Sequence, residues 1–104
     1  VHPCRIAHGS RRLSGYLADL SLKGAQVSCD AEPPPAGASI VIEVRFARRS
    51  GYSRLPAEVK WVRPGASAGE AGSLGVTFED VSGDEQRVLE SVVEEFRRRA
   101  SLLA

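Results

Sequence analysis

From His2 to Phe78 the apolar residues recur at every second position in short runs, and after Ser82 they recur once at helical spacing. No other feature limits the fold as strongly, because alternation describes strands with one buried face. The clearest run is 39–46, where Ile40, Ile42, Val44 and Phe46 point inward while Glu43 and Arg45 point out. Residues 2–8 read as a short extended segment, and residues 13–21 as a second strand with Tyr16, Ala18 and Leu20 on one face. Ala25, Val27 and Cys29 alternate with Gln26 and Ser28 in a third. In residues 53–63, Ala57, Val59 and Trp61 alternate with Glu58 and Lys60, and Leu74, Val76 and Phe78 form the inward face of a last strand. Turn chemistry separates the runs at Gly9-Ser10-Arg11-Arg12, Lys23-Gly24 and Arg48-Arg49-Ser50-Gly51. Loops fill Asp30 to Gly37, stiffened by Pro33 to Pro35, and Pro64 to Gly72. Six short strands so spaced predict an antiparallel barrel or sandwich. Closing the sheet removes its exposed edges.

Ser82-Gly83-Asp84-Glu85 reads as a capping box and predicts a helix over 82–102. Val88, Leu89, Val92, Val93 and Phe96 make one apolar stripe, which more often packs on its own barrel than on a partner. Glu94 with Arg98, and Glu95 with Arg99, are i,i+4 pairs in the favourable order. Arg97 to Arg99 fall near the helix end, where positive charge is favoured.

The length of 104 residues suits a single domain, 1–104, with a barrel over 1–79 and the helix behind it. The net charge of +1 argues against a nucleic-acid polymer as partner, and so does the scarcity of aromatics for base stacking. A local basic pocket remains compatible with it. No apolar run approaches the ~20 residues of a membrane helix, so membrane insertion is not expected. The chain contains no methionine, and native sequence is expected before Val1.

Cys4 and Cys29 are too few for a disulfide scaffold and read as small buried apolar groups in a reducing compartment, the cytoplasm. His2 and His8 share parity but stand ~20 Å apart on an extended segment, too far to chelate one ion together. Nothing resembles a nucleophile–base pair, and no Gly-rich phosphate loop precedes a helix, so an enzyme is not expected and no cofactor is implied.

The chemistry concentrates in Asp19-Leu20-Ser21-Leu22-Lys23-Gly24. On a strand, Asp19 and Ser21 would stand side by side on one surface, with Leu20 facing the other way. Gly24 can take a positive φ and leaves the backbone open to close approach. The bland reading is a polar hairpin corner built from ordinary turn residues, and for these six residues alone it is the commoner one.

In its setting the segment resembles the D-x-S-x-x-G motif of PilZ domains, with Asp19, Ser21 and Gly24 at the matching positions. Gly15 to Ser21 has the texture of that family's strand leading into the motif. Glu58-Val59-Lys60-Trp61-Val62 is similar to a later strand, and Leu74-Gly75-Val76-Thr77-Phe78 to the G-x-x-F segment before the final helix. The likeness spans nearly the whole chain. It implies a six-stranded antiparallel β-barrel with a C-terminal α-helix, and a bacterial signalling domain that binds cyclic di-GMP. Such domains use a second motif, R-x-x-x-R, just before the first strand, whose guanidinium forks suit phosphates and guanine edges.

This chain departs from that pattern. Arg5 has Val1 four residues before it and Gly9 four after, so no such motif lies near its start. Arg11 and Arg12 follow the first strand and are second-rank candidates for the ligand. Two readings stay open. In one, arginines upstream of Val1 complete a cyclic di-GMP site with Asp19, Ser21 and Gly24. In the other, the domain is degenerate, binds no messenger, and docks on a protein partner, a neighbouring domain or a second copy of itself.

Overall fold

The computed structural model describes residues 2–45, 53–65, 71–79 and 81–103, with residues 99–103 described by backbone alone. The strands are β1 (His2–His8), β2 (Arg11–Leu20), β3 (Gly24–Cys29), β4 (Ser39–Val44), β5 (Ser53–Arg63) and β6 (Ser73–Phe78), followed by helix α1 (Gly83–Leu103). All neighbours pair antiparallel, and the sheet closes into a barrel in the order β1-β2-β3-β6-β5-β4. The alternation sets this arrangement. Ile6, Val27, Ile42, Val44 and Leu74 are fully inside, and Leu55, Ala57 and Val59 almost so. Each large aliphatic chain so buried contributes about 1.5–3 kcal/mol.

The apolar stripe of the helix joins the core of the barrel. Leu89 and Val93 are buried in the same cluster as the strand residues, and Val88, Val92 and Phe96 pack against it. The stripe is therefore intramolecular, as expected. Ser82 caps the helix through Oγ, which accepts the Glu85 N–H at 3.3 Å. Glu94 and Arg98 pair at 3.2 Å. The helix ends at Leu103, one residue beyond the expected end, and its last turn holds no basic residue; Arg97 and Arg98 lie just before that turn. The side chain of Arg99 lies outside the described residues, as do Phe46 and the Arg48 to Gly51 turn.

Two strand readings need correction, for one physical reason. A bulge inserts one residue and reverses the alternation beyond it. In β2 the register shifts between Leu17 and Asp19. Leu13, Leu17 and Leu20 are buried, while Tyr16 is 50% exposed and Ala18 is exposed too. In β5 the register shifts between Val59 and Trp61, so Trp61 leaves the core face and stands 40% exposed. Val62 takes over as the inward residue.

The first turn is also shorter than expected. Gly9 takes φ 59° there, and Arg11 and Arg12 already belong to β2, paired with His8 and Ala7. Cys4 and Cys29 are free and buried, facing inward in one row on either side of Gly15. Two strand spacings separate them, about 9.6 Å, beyond the reach of a disulfide. Among the described residues, no helix is long and apolar enough to cross a membrane.

Candidate functional site

Both bulges border the same patch of the outer barrel surface. In strand order β2, β3, β6, β5, the residues Asp19, Gln26, Gly75 and Trp61 are successive register partners. They form one transverse row spanning roughly 14 Å of sheet. The bulges bring the two end residues to the outside: without them Asp19 and Trp61 would carry the parity of the core. The adjoining outer row is Gly24, Thr77 and Glu58. Over these rows lies a recess of about 330 Å³ lined by Asp19, Ser21, Lys23, Gly24, Gln26, Lys60, Trp61 and Thr77 among others. The expected trio of Asp19, Ser21 and Gly24 is thus brought together at one end of it.

The three residues do different work. Asp19 Oδ1 accepts the N–H of Leu20 at 2.9 Å, which fixes the carboxylate, and no other described group engages its second oxygen. Ser21 lies one residue past the end of β2. Its Oγ accepts from the N–H groups of Lys23 (3.3 Å) and Gly24 (3.1 Å) and donates to the Gly24 carbonyl at 3.2 Å. A hydroxyl offers one donor and two acceptor positions, so Ser21 is saturated by its own turn. A backbone bond from Ser21 N to Gly24 O at 2.8 Å closes the same turn.

Gly24 does not adopt a positive φ; among the described glycines only Gly9 and Gly37 do. Its need is steric: a Cβ would fall 2.0 Å from the Val76 carbonyl oxygen of β6. The glycine lets β3 begin flush against β6. That correction moves its role from turn conformation to strand contact.

The far wall is Trp61. Its indole lies over Gly75, where a Cβ would meet Nε1 at 2.0 Å, and the Arg63 guanidinium sits 5.8 Å from the ring centroid. Lys23 and Lys60 line the recess, against the single carboxylate of Asp19, so its balance is cationic. Lys60 Nζ is 2.5 Å from Glu58 Oε2. That hydrogen bond, and then the charge of Glu58, raise the Lys60 pKa above the ordinary lysine range, with Glu79 adding a little.

Arg11 and Arg12 are elsewhere. They stand at the opposite end of β2, roughly 25 Å of strand from Asp19. Arg11 Nη2 donates to the Glu32 carbonyl at 3.3 Å, and Arg12 pairs with Glu43. Neither lines the recess. Trp61, Lys60, Gln26 and Gly75 were not singled out from sequence as site residues. Gly75 carried a usable signal, since a glycine inside a strand pattern often marks close approach. Among the described residues, no group of three or more His, Cys, Asp or Glu converges on a metal position.

The family model of the PilZ domain matches residues 1–95. Solved structures that resemble the chain include two PilZ domains. The PilZ domain with c-di-GMP of YcgR from Escherichia coli is 22% identical, with a TM-score of 0.73, over 95% of this chain and 83% of that one. The PilZ domain of CeSA from a cellulose-synthesizing bacterium is 19% identical, with a TM-score of 0.66, over 92% of each chain. At these identities the likeness is one of fold. A comparison with curated proteins finds no match.

Proposed function

The chain belongs to the PilZ domain family, and on that premise we propose that it is a bacterial regulatory module that binds cyclic di-GMP in the recess between Asp19 and Trp61. The transverse row carries the reading. It sets a carboxylate with an open oxygen at one end and an exposed indole at the other. Guanine presents adjacent N–H donors on its pairing edge and a broad π-face. A fixed carboxylate accepts the former through charge-assisted bonds, and an aromatic ring stacks on the latter for about 1–3 kcal/mol per base. Adenine offers an acceptor where guanine offers the N1 proton, so Asp19 favours guanine. Lys23 and Lys60 supply positive charge for the phosphates.

A volume of about 330 Å³ is at the small end for a ligand cleft. It suits one guanosine half of the cyclic dinucleotide. The other half needs a further wall, the role that the resemblance gives to an arginine pair upstream of Val1. Ordering that segment on the ligand would change the surface offered to a partner protein or neighbouring domain. Such a module binds and regulates; it does no chemistry. The free thiols suit a cytoplasmic setting.

The degenerate reading loses its most natural docking face, because the helix stripe is packed on the barrel. Calorimetry with cyclic di-GMP on the complete native protein decides between the two. Micromolar or tighter binding that disappears in Asp19→Ala supports the site; no heat at high ligand concentration defeats it.

A further inference from the structure

We propose that Lys60 is the recess's own phosphate-binding cation and that Glu58 competes with the ligand for it, which sets the threshold for binding; this rests on the nucleotide reading above. The β5 bulge places two consecutive residues, Lys60 and Trp61, on the outer side, where a regular strand would turn one of them inward. Both then line the recess. The stacking wall and an ammonium group are therefore delivered by one backbone irregularity, the kind of device that re-aims side chains at sites.

Glu58 is placed differently. It belongs to the adjoining outer row, opposite Thr77, and does not line the recess. Its Oε2 nevertheless holds Lys60 Nζ at 2.5 Å. The same ammonium thus touches an internal carboxylate and borders the cavity. Lys23, the other lining ammonium, makes no ion pair among the described residues. The Lys60–Glu58 pair is exposed, with side-chain accessibilities of 54% and 33%, so water screens it and little is lost when it opens. A lysine has a flexible stem and three donors, and can pass from one anion to another without losing its charge partner. A phosphodiester oxygen in the recess replaces the carboxylate, and Glu58 is left at the rim in water. Neutralisation by Glu58 is then the opposing force that ligand binding must overcome.

The two residues should respond with opposite signs. Lys60 is exposed and Glu58 half-exposed, and neither belongs to the core, so Lys60→Gln and Glu58→Gln are expected to fold, which thermal unfolding verifies. By calorimetry with cyclic di-GMP on the complete native protein, Lys60→Gln should weaken binding about tenfold or more and flatten its salt dependence. Glu58→Gln should tighten it about two- to fivefold. If both variants bind like the wild type while Asp19→Ala abolishes binding, the competition is overturned and the nucleotide reading stands. Weaker binding by Glu58→Gln also overturns it, because Glu58 would then be steering Lys60 toward the ligand. If the native protein binds no cyclic di-GMP, both readings fall together.

Discussion

Gly75 lies directly beneath the indole of Trp61, so closely that a Cβ on it would sit 2.0 Å from Nε1. The two are register partners across β6 and β5. The missing side chain leaves a slot in the outer sheet surface that the aromatic ring fills, a known way of covering a strand glycine. The Gly75 backbone and the Arg63 guanidinium, 5.8 Å from the ring centroid, brace the indole, which is still 40% exposed. In the proposed cyclic di-GMP site, a stacking surface fixed in this way would lose little freedom when a base arrives.

Gly75→Ala should therefore disturb the site before it disturbs the fold. The added methyl pushes the indole outward, and its emission should shift to longer wavelength. Trp61 is the sole tryptophan, so the spectrum reports this ring alone. Stability should fall by about 1–3 kcal/mol from overpacking. Affinity for cyclic di-GMP should fall at least tenfold as the stacking geometry is lost. Unchanged emission and unchanged affinity would show that the ring is not held by this contact.

Asp19 and Ser21 should separate cleanly under mutation. Ser21 fills its hydrogen-bonding capacity within the turn, so Ser21→Ala strands the N–H groups of Lys23 and Gly24 and should cost about 1–2 kcal/mol. Asp19 makes one bond, to the N–H of Leu20, and Asp19→Ala should cost less than about 1 kcal/mol. Its effect on binding should be the larger, roughly 100-fold, through loss of the guanine contact. Urea unfolding and calorimetry on the two variants make the comparison. A stability loss from Asp19→Ala exceeding that from Ser21→Ala would reverse the assigned roles.

Gly24 meets backbone where Gly75 meets a side chain. The Val76 carbonyl oxygen 2.0 Å from its would-be Cβ cannot rotate away, so β3 and β6 would have to part. Gly24→Ala should cost about 3 kcal/mol or more. Because Gly24 is not among the positive-φ glycines, Gly24→Asn should be no better than alanine, although asparagine tolerates left-handed backbone. Rescue by asparagine in a denaturation series would restore the turn-conformation reading.

The strands and the helix were legible because burial dictates parity, and parity can be read directly from Ile40, Ile42 and Val44 or from Leu74 and Val76. The bulges were not legible. An inserted residue has no side-chain signature of its own, and counting by twos through Ala18 and Lys60 assigns Tyr16 and Trp61 to the wrong face. That error hid the far wall of the recess. The near wall was legible as a motif, but the bonding of Ser21 and the backbone contact of Gly24 are tertiary facts. Arg11 and Arg12 lie away from the recess because the ten-residue strand β2 separates their end of the barrel from Asp19's.

The core thiols give a pH signature independent of the ligand. Burial raises Cys4 from 9.0 to about 12, with Cys29 nearby adding to it, and burial with a contribution from Asp30 raises Cys29 to about 11. A thiol that holds its proton more tightly in the fold than in the unfolded chain contributes stability that is whole below the unfolded pKa. That contribution shrinks as pH climbs from about 9 through 11 toward 12. Native protein should resist a thiol reagent at pH 8 and react at both cysteines in urea. The double variant Cys4→Ala with Cys29→Ala should be less stable than wild type at pH 7, by about 1 kcal/mol per site. Between pH 9 and 11 that deficit should narrow, because the wild type alone must keep two thiols protonated in its interior. A deficit that stays level across this window in parallel urea titrations would mean that the thiolates are accommodated in the fold and that burial is not what holds their protons.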